Sequence, residues 1–242
     1  MGVAFVEESK LEKAKSKYWQ AIDGYQKLRE GHASAQRWED YPSARRTMNN
    51  MAVVNWKQGE LEKARENLRL ALQDHSTVLA GDRGLILEDA FNNTGIILSA
   101  LGFTDEAQVN YELALKGYED KLGIHHRLTL STINNLGILF AELEQWKKSM
   151  SMFDEALRGR RKTLGREHAS TLDTMNNMGV CLMNLALMNE SEDPSESKSQ
   201  REKAKMMLEE AWRGYEKTLG SEHESTVRAE RNLGYFLSNN AG

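Results

Sequence analysis

The sequence predicts an all-α fold of stacked helical hairpins. Only 2 of the 242 residues are proline, the residue that interrupts helices most strongly. Good helix formers such as alanine, leucine, glutamate and lysine are abundant by contrast. A motif rich in asparagine also returns about every 42 residues, and a fixed period of this length is typical of helical repeat proteins.

The recurring motif places a small residue, alanine or glycine, two positions after an asparagine. Its five copies are TMNNMA (47–52), AFNNTG (90–95), TINNLG (132–137), TMNNMG (174–179) and AERNLG (229–234). Counted along the sequence, the intervals between these asparagines are 43, 42, 42 and 55 residues. The last interval is longer because of the polar stretch 189–200 (NESEDPSESKSQ), which contains Pro194 and no large apolar residue. We therefore expect an inserted, solvated loop at 189–200.

A second pattern follows each of the first four motifs and indicates a second helix. A small residue is followed four positions later by a large apolar residue and, three positions beyond that, by alanine. The small residues are Ala64, Ala107, Ser149 and Ala204, the large ones Leu68, Tyr111, Phe153 and Leu208, and the alanines Ala71, Ala114, Ala156 and Ala211. Spacings of three and four mark one helical face, and small residues let two helices approach closely.

These patterns predict one solenoid over residues 1–242, with about ten antiparallel helices. The predicted parts are a half-unit at 9–30, hairpins at about 43–80, 86–122, 129–164 and 171–219, and a terminal helix at 226–239. Each hairpin exposes an apolar side, so the hairpins must stack to bury it.

The segments that join successive hairpins share a further motif. They read LGIHHRLT (122–129), LGREHAST (164–171) and LGSEHEST (219–226). Together with the small and large residues of the hairpins, they resemble the tetratricopeptide repeat family, in the 42-residue form of kinesin light chains and nephrocystin-type proteins. The resemblance implies a right-handed α–α superhelix whose first helices line a concave groove, and a function in protein–protein interaction.

The sequence departs from the pattern of that family in its turns. Three residues replace the connector proline: Arg127, Ala169 and Glu224. The first connector, 79–86, lacks the histidine, and Glu144 stands where two other hairpins have Gly59 and Gly102. Because these changes concern local turn geometry, we expect the fold to be kept.

The side of the first helices that does not pack is our candidate binding site. At 100° per residue, the asparagines and one apolar residue of each motif fall on this side. The candidate peptide-binding residues are Asn49, Asn50, Val53, Asn92, Asn93, Ile96, Asn134, Asn135, Ile138, Asn176, Asn177, Val180, Arg228, Arg231, Asn232 and Tyr235. The family resemblance implies that they line the groove.

Two interpretations of the asparagines stay open. Asparagine inside a helix costs up to about 0.7 kcal/mol relative to alanine, so its recurrence needs an explanation. In the first interpretation the second asparagine of each pair bonds to the neighbouring repeat, or the pairs are simply inherited by duplication. In the second, the carboxamides bond to the backbone of an extended peptide. The apolar line beside them would then accept side chains of a strand or an amphipathic helix.

Charge along the candidate surface is uneven. Arg46 and Lys57 stand near one end, and Arg228 and Arg231 near the other. The acidic residues between them are Asp89, Glu142 and Asp173. This arrangement favours a ligand with a basic centre and acidic flanks.

Several function classes find no support in the sequence. The net charge of −4 gives no basic footprint for nucleic acid, and no apolar stretch approaches the ~20 residues of a membrane span. We expect no catalysis, cofactor or metal: His126, His168 and His223 recur with the repeat and would lie too far apart to share an ion. Each histidine is expected to bond a local carbonyl, and Cys181 matches core positions of the other motifs. Without a targeting signal, a cytoplasmic location is the default.

The leading hypothesis is therefore a non-catalytic scaffold or adaptor that binds a peptide segment of a partner protein in the concave groove. One alternative is a structural subunit of a larger assembly, which would use the convex face or the helix ends. Another is a sensor of a short signalling peptide. Because the last helix lacks the second helix of its hairpin, we also expect self-association, a neighbouring domain or a bound partner at the C-terminal end.

Overall fold

The computed structural model describes residues 2–30, 42–72 and 85–239. They form ten helices: α1 (Gly2–Glu30), α2 (Pro42–Lys57), α3 (Leu61–Leu72), α4 (Ile86–Ala100), α5 (Thr104–Leu122), α6 (Arg127–Glu142), α7 (Trp146–Leu164), α8 (Ala169–Asn189), α9 (Pro194–Leu219) and α10 (Glu224–Asn239). No strand occurs in these three ranges. The predicted all-α class with about ten helices is confirmed, although α1 begins seven residues before the predicted half-unit. The end of the first hairpin (73–80) and most of the first connector (79–84) lie outside the described residues.

The chain is divided into two compact units, residues 1–120 and residues 121–242. In the first unit, α1 packs on α2, α2 and α3 form a hairpin, and α4 contacts both helices of that hairpin. In the second unit, α6–α7 and α8–α9 are hairpins, α7 packs against α8, and α10 packs against α8 and α9. We call α2, α4, α6, α8 and α10 the first helices, and α3, α5, α7 and α9 the second helices.

In three hairpins a glycine of the first helix lies in close contact with a large side chain of the second helix. A Cβ atom added at Gly137 would lie 2.7 Å from the ring of Phe153, which is closer than carbon atoms can pack. The same contact joins Gly95 to Tyr111 and Gly179 to Leu208. The predicted pairing of a small residue with a large one is therefore confirmed in these three hairpins.

The connectors before α6, α8 and α10 form one local structure three times. Their glycines, Gly123, Gly165 and Gly220, have φ values of 85°, 88° and 87°, in the left-handed region that glycine adopts without strain. In each copy the histidine Nδ1 accepts a hydrogen bond from the backbone N–H two residues later, at 3.3, 3.1 and 3.2 Å. The threonine hydroxyl in turn donates to the glycine carbonyl at 2.9, 2.8 and 2.7 Å.

The expectation that these histidines bond a carbonyl group was wrong. His126 and His168 are the N-caps of α6 and α8. The first turn of a helix offers backbone N–H groups without intrahelical partners, so the imidazole acts there as an acceptor.

The expectation of a loop at 189–200 was also wrong, because only residues 190–193 separate α8 from α9. α8 has 21 residues and α9 has 26, against 16 for α6 and 19 for α7. Pro194 stands in the first turn of α9, where a missing N–H costs little, and the Asp193 carboxylate accepts from the N–H of Glu196. The Ser197 hydroxyl donates to the carbonyl of Ala186 at 2.7 Å. The insertion thus lengthens both helices of this hairpin.

Cys181 lies in the core of the second unit, as its place in the motif predicted. Its Sγ is 3.6 Å from the carbonyl oxygen of Trp146. Burial raises the pKa of the thiol, partly offset by a hydrogen bond with the side chain of Ser149. The reactive thiolate form is therefore disfavoured.

Candidate interaction surface on the first helices

The first asparagine of three pairs is buried between neighbouring first helices. Asn49, Asn134 and Asn176 are 4%, 6% and 2% exposed. Side chains with so little accessible surface do not contact a peptide, so we correct their assignment as binding residues. Consecutive side chains of a helix point 100° apart. One asparagine of such a pair therefore faces the neighbouring helix, and the other lies nearer the surface.

In two cases the second asparagine bonds the buried asparagine of the preceding first helix. The Asn93 Nδ2 on α4 donates to the Asn49 Oδ1 on α2 at 2.9 Å. The Asn232 Nδ2 on α10 donates to the Asn176 Oδ1 on α8 at 3.1 Å. We call each such bond a rung. These two rungs are the contacts between repeats that the structural interpretation describes.

The corresponding rung between α6 and α8 is open. The Asn134 Oδ1 is buried and has no hydrogen-bond partner among the described residues. Asn177 on α8 holds the place from which Asn93 and Asn232 donate, yet it is half-buried and bonds no described residue. The second unit therefore contains one closed rung and one open rung.

The other candidate residues keep accessible surface. Ile138 is 36% exposed and Tyr235 58% exposed, and Arg228 and Arg231 are exposed as well. The remaining ones are half-buried: Asn50, Val53, Asn92, Asn93, Ile96, Asn135, Asn177, Val180 and Asn232. In the second unit we call Asn135, Ile138, Asn177, Val180, Asn232 and Tyr235 the first-helix face.

Two tyrosines of the second helices bond aspartates of the first helices. The Tyr118 hydroxyl donates to Asp89 and the Tyr215 hydroxyl to Asp173, both at 2.5 Å. Burial, followed by the bond to Asp173, raises the pKa of Tyr215 far above its ordinary value, so the phenol stays neutral. Arg228 also lies 2.7 Å from Asp173. Asp173 and Arg228 therefore offset each other's charge, which weakens the predicted contrast between an acidic middle and a basic C-terminal end, where Arg231 stays exposed.

Arg160 replaces the tyrosine in the α6–α7 hairpin and is 5% exposed. Its Nη1 donates to the carbonyl of Ser170 and the hydroxyl of Thr174, both at 2.7 Å, and its Nη2 donates to the hydroxyl of Ser131 at 3.1 Å. Burial lowers the pKa of the guanidinium, while the charge of Asp173 raises it. Arg160 thereby ties α6 to α8 one helical turn before the open rung.

The recurring motifs did not predict the roles of these three residues. Tyr118, Arg160 and Tyr215 each stand four positions after the recurrent alanine of a second helix. That register was the available signal, but the change from tyrosine to arginine hides it.

Two open cavities lie on other surfaces. One, of about 420 Å³, lies beside α9 and the connector before α8, where Lys217 pairs with Glu167 at 2.5 Å. The other, of about 330 Å³, is lined by residues of α3, α4 and α5, and the Arg65 guanidinium there lies 5.2 Å from the centre of the Phe103 ring. Neither cavity contains an asparagine of the recurring motif.

This arrangement of helices is similar to that of known proteins. Models of the tetratricopeptide repeat match residues 45–82 and 86–162. Residues 45–82 and 86–162 belong to the tetratricopeptide repeat family. Repeats of this kind present extended surfaces to other proteins, and the fold supports a role as a protein-interaction scaffold.

Three solved structures share the fold. BtubC (BKLC) from P. vanneervenii has a TM-score of 0.69 at 18% identity, over 96% of this chain and 84% of that one. A putative kinesin light chain from Podosopora anserina, with nearly identical tetratricopeptide-like repeats, has a TM-score of 0.62 at 19% identity, over 83% of this chain and 89% of that one. A Rap protein complexed with competence and sporulation factor has a TM-score of 0.50 at 12% identity, over 95% and 73%. No curated protein matches the sequence.

Residues 2–30, 42–72 and 85–239 contain neither a candidate membrane span nor a candidate metal cluster. Within them, no tetratricopeptide helix is both long and apolar enough to cross a bilayer. Nor do three or more histidine, cysteine, aspartate or glutamate side chains of these ranges gather where they would hold a metal ion.

Proposed function

We propose that the protein is a non-catalytic adaptor whose first helices bind an extended segment of a partner protein. The arrangement of the second asparagines carries the proposal. Asn93 and Asn232 use their Nδ2 atoms for the rungs, and no described residue donates to their Oδ1 atoms. Their side-chain oxygens are therefore acceptors still available on the accessible side. An extended backbone supplies the matching N–H groups, which a helix uses internally.

The apolar residues beside the asparagines support the same ligand. Ile138 and Tyr235 are exposed although they are large and apolar or aromatic, and Val180 is half-buried on the helix between theirs. Side chains of an extended segment alternate in direction, so one set can meet these residues while the backbone meets the asparagines. Each hydrogen bond nets only about 0.5–1.5 kcal/mol, so affinity would come from several contacts together.

A structural neighbour gives weaker support. The Rap protein of the same fold is known in complex with competence and sporulation factor. At 12% identity this likeness concerns the fold alone. It supports the idea that helical repeats of this class capture ligands, and it does not identify the ligand of this chain.

Binding of a selected peptide tests the proposal. Random peptides of ~12 residues displayed on phage are selected on the immobilised chain, and the dissociation constant of the best peptide is measured by fluorescence anisotropy. Ile138→Arg places a charge on the first-helix face and is expected to weaken binding by about 10-fold or more, since the arginine would lose water on contact. Met206→Arg is the matched control, because Met206 is an apolar residue of α9 that is 63% exposed.

The competing function is a structural subunit that binds through its second helices. Val109, Leu113 and Met206 favour it, because all three are exposed apolar residues of second helices. Under this alternative Met206→Arg weakens partner binding and Ile138→Arg does not. Failure of the chain to select any peptide would also count against the adaptor.

A further inference from the structure

The open rung and the closed rungs differ in their hydrogen bonding: only the open rung has a buried group without a partner among the described residues. In the closed rung of the second unit, the buried Asn176 Oδ1 receives a hydrogen bond from Asn232. In the open rung, the Asn134 Oδ1 is also buried and receives none from the described residues. A buried acceptor without a donor loses its hydration and gains nothing in exchange. The contact between α6 and α8 therefore contains one buried acceptor, the Asn134 Oδ1, that is available for a further hydrogen bond.

Asn177 holds the motif position from which a side-chain amide donates to the equivalent acceptor in the closed rungs. It stands one helical turn after Thr174, the residue of α8 to which Arg160 donates. Since Arg160 also bonds Ser131 on α6, the two helices are held together beside the open rung. Asn177 itself is half-buried and bonds no described residue, so its side chain can turn without breaking a bond.

We infer that binding of an extended segment closes this rung: Asn177 accepts a backbone N–H of the segment with its Oδ1 and donates with its Nδ2 to the buried Asn134 Oδ1. The inference rests on the proposed function and names its ligand more closely. One carboxamide has both an acceptor and donors, so the two bonds form together. Asn134 is then a positioning residue, which adds to affinity without touching the ligand.

The same geometry selects the conformation of the ligand. An amphipathic helix has its backbone N–H groups bonded internally, apart from those of its first turn. It therefore offers Asn177 no donor along most of its length. An extended segment offers an unpaired N–H at alternate positions on one side. Of the two ligand conformations that the sequence allowed, the open rung favours the extended one.

The test uses the intact chain and the peptide selected by phage display. Asn177→Ala is expected to weaken that peptide by about 5-fold or more, the value of one hydrogen bond of ~1 kcal/mol. Asn134→Leu removes the buried acceptor without removing any hydrogen bond of the free protein. It should leave the melting temperature of the free protein unchanged or higher and still weaken the peptide by about 5-fold. A purely structural role for Asn134 would instead lower the melting temperature.

Replacing peptide amides by esters, one at a time, locates the contact. At one position the ester should weaken binding to the wild-type chain but not to Asn177→Ala, because an ester lacks the N–H donor. Nuclear magnetic resonance gives a second readout that needs no variant. The Asn177 side-chain amide protons should exchange quickly with water in the free protein and slowly in the complex.

The outcomes separate this inference from the proposed function. If peptides bind and Ile138→Arg weakens them, but Asn134→Leu leaves the dissociation constant within about twofold, only the closing rung is overturned. Slow exchange of the Asn177 amide protons in the free protein would overturn it as well, because the rung would already be closed. If no selected peptide binds, the proposed function and this inference both fail.

Discussion

The side-chain amide of Asn232 donates a hydrogen bond to the side-chain oxygen of Asn176, 3.1 Å away on the neighbouring first helix. The acceptor is 2% exposed and the donor half-buried. The two residues therefore have different roles, although the sequence presents them as members of one motif. Asn176 is the buried acceptor of the contact between repeats, and Asn232 is its donor and keeps part of its side chain accessible.

Replacing the donor of a closed rung should destabilise the protein. Asn232→Ala leaves the Asn176 oxygen buried without a partner, which costs about 1–3 kcal/mol, while alanine returns up to about 0.7 kcal/mol of helix propensity. We expect the free energy of unfolding, measured by urea titration, to fall by about 0.5–2 kcal/mol. Asn177→Ala is the matched control: it removes no bond, so stability should stay constant or rise slightly. Equal losses in both variants would contradict the distinction between closed and open rungs.

A methyl group at the hairpin contact should have opposite effects in two copies of the motif. At Gly137 it would lie 2.7 Å from Phe153, so Gly137→Ala should cost about 1–3 kcal/mol through overpacking. Gly234 holds the same motif position in α10, but no atom lies within 4 Å of its added Cβ. Gly234→Ala should therefore raise stability by up to about 1 kcal/mol. Thermal unfolding of both variants checks the two signs, and a loss at Gly234 would refute the packing argument.

The hairpins were predictable from sequence because their packing depends on residue size at fixed spacing. Gly137 and Phe153 lie 16 positions apart in the sequence, and the same small–large pattern recurs in the other hairpins. The extended α9 was not predicted, because a proline in a polar stretch is also typical of a loop. Read with Asp193 before it and Glu196 after it, the same proline is a helix-start signal.

In three of the asparagine pairs one member is buried and the other is not, and this difference was not predictable from sequence. A helical wheel placed Asn176 and Asn177 on the same side of α8, because that side spans many degrees of arc. Which of them is buried depends on where the neighbouring first helix lies, and this is a tertiary fact. The open rung was even less predictable, because Asn134 and Asn177 are both asparagines, as are the two residues of each closed rung.

The histidine N-caps predict a specific order of substitutions at His168. Its Nδ1 accepts from the N–H of Ser170 at 3.1 Å, so His168→Ala should cost about 1 kcal/mol of stability by leaving that N–H without its cap. Asparagine is among the best capping residues, and His168→Asn should keep or exceed the original stability. Urea unfolding of the two variants decides. If alanine and asparagine behave alike, the imidazole does not cap α8 in solution.

Glu144 should be a site where glycine stabilises the protein. It has a φ of 56°, and among the described residues it is the one non-glycine residue with a positive φ. The turns of two other hairpins place Gly59 and Gly102 at this position, with φ values of 76° and 84°. A side chain in the left-handed region costs about 1–2 kcal/mol, whereas glycine adopts it freely.

Glu144→Gly is therefore expected to raise the free energy of unfolding by about 1 kcal/mol, somewhat less than the strain because glycine also gains freedom in the unfolded chain. Gly102→Glu is the reciprocal variant and should lower it by a similar amount. Its Cβ would meet no atom within 4 Å, so any loss reports the backbone conformation and not a clash. A stabilising Gly102→Glu, or a destabilising Glu144→Gly, would show that the turn residues are chosen for their side chains.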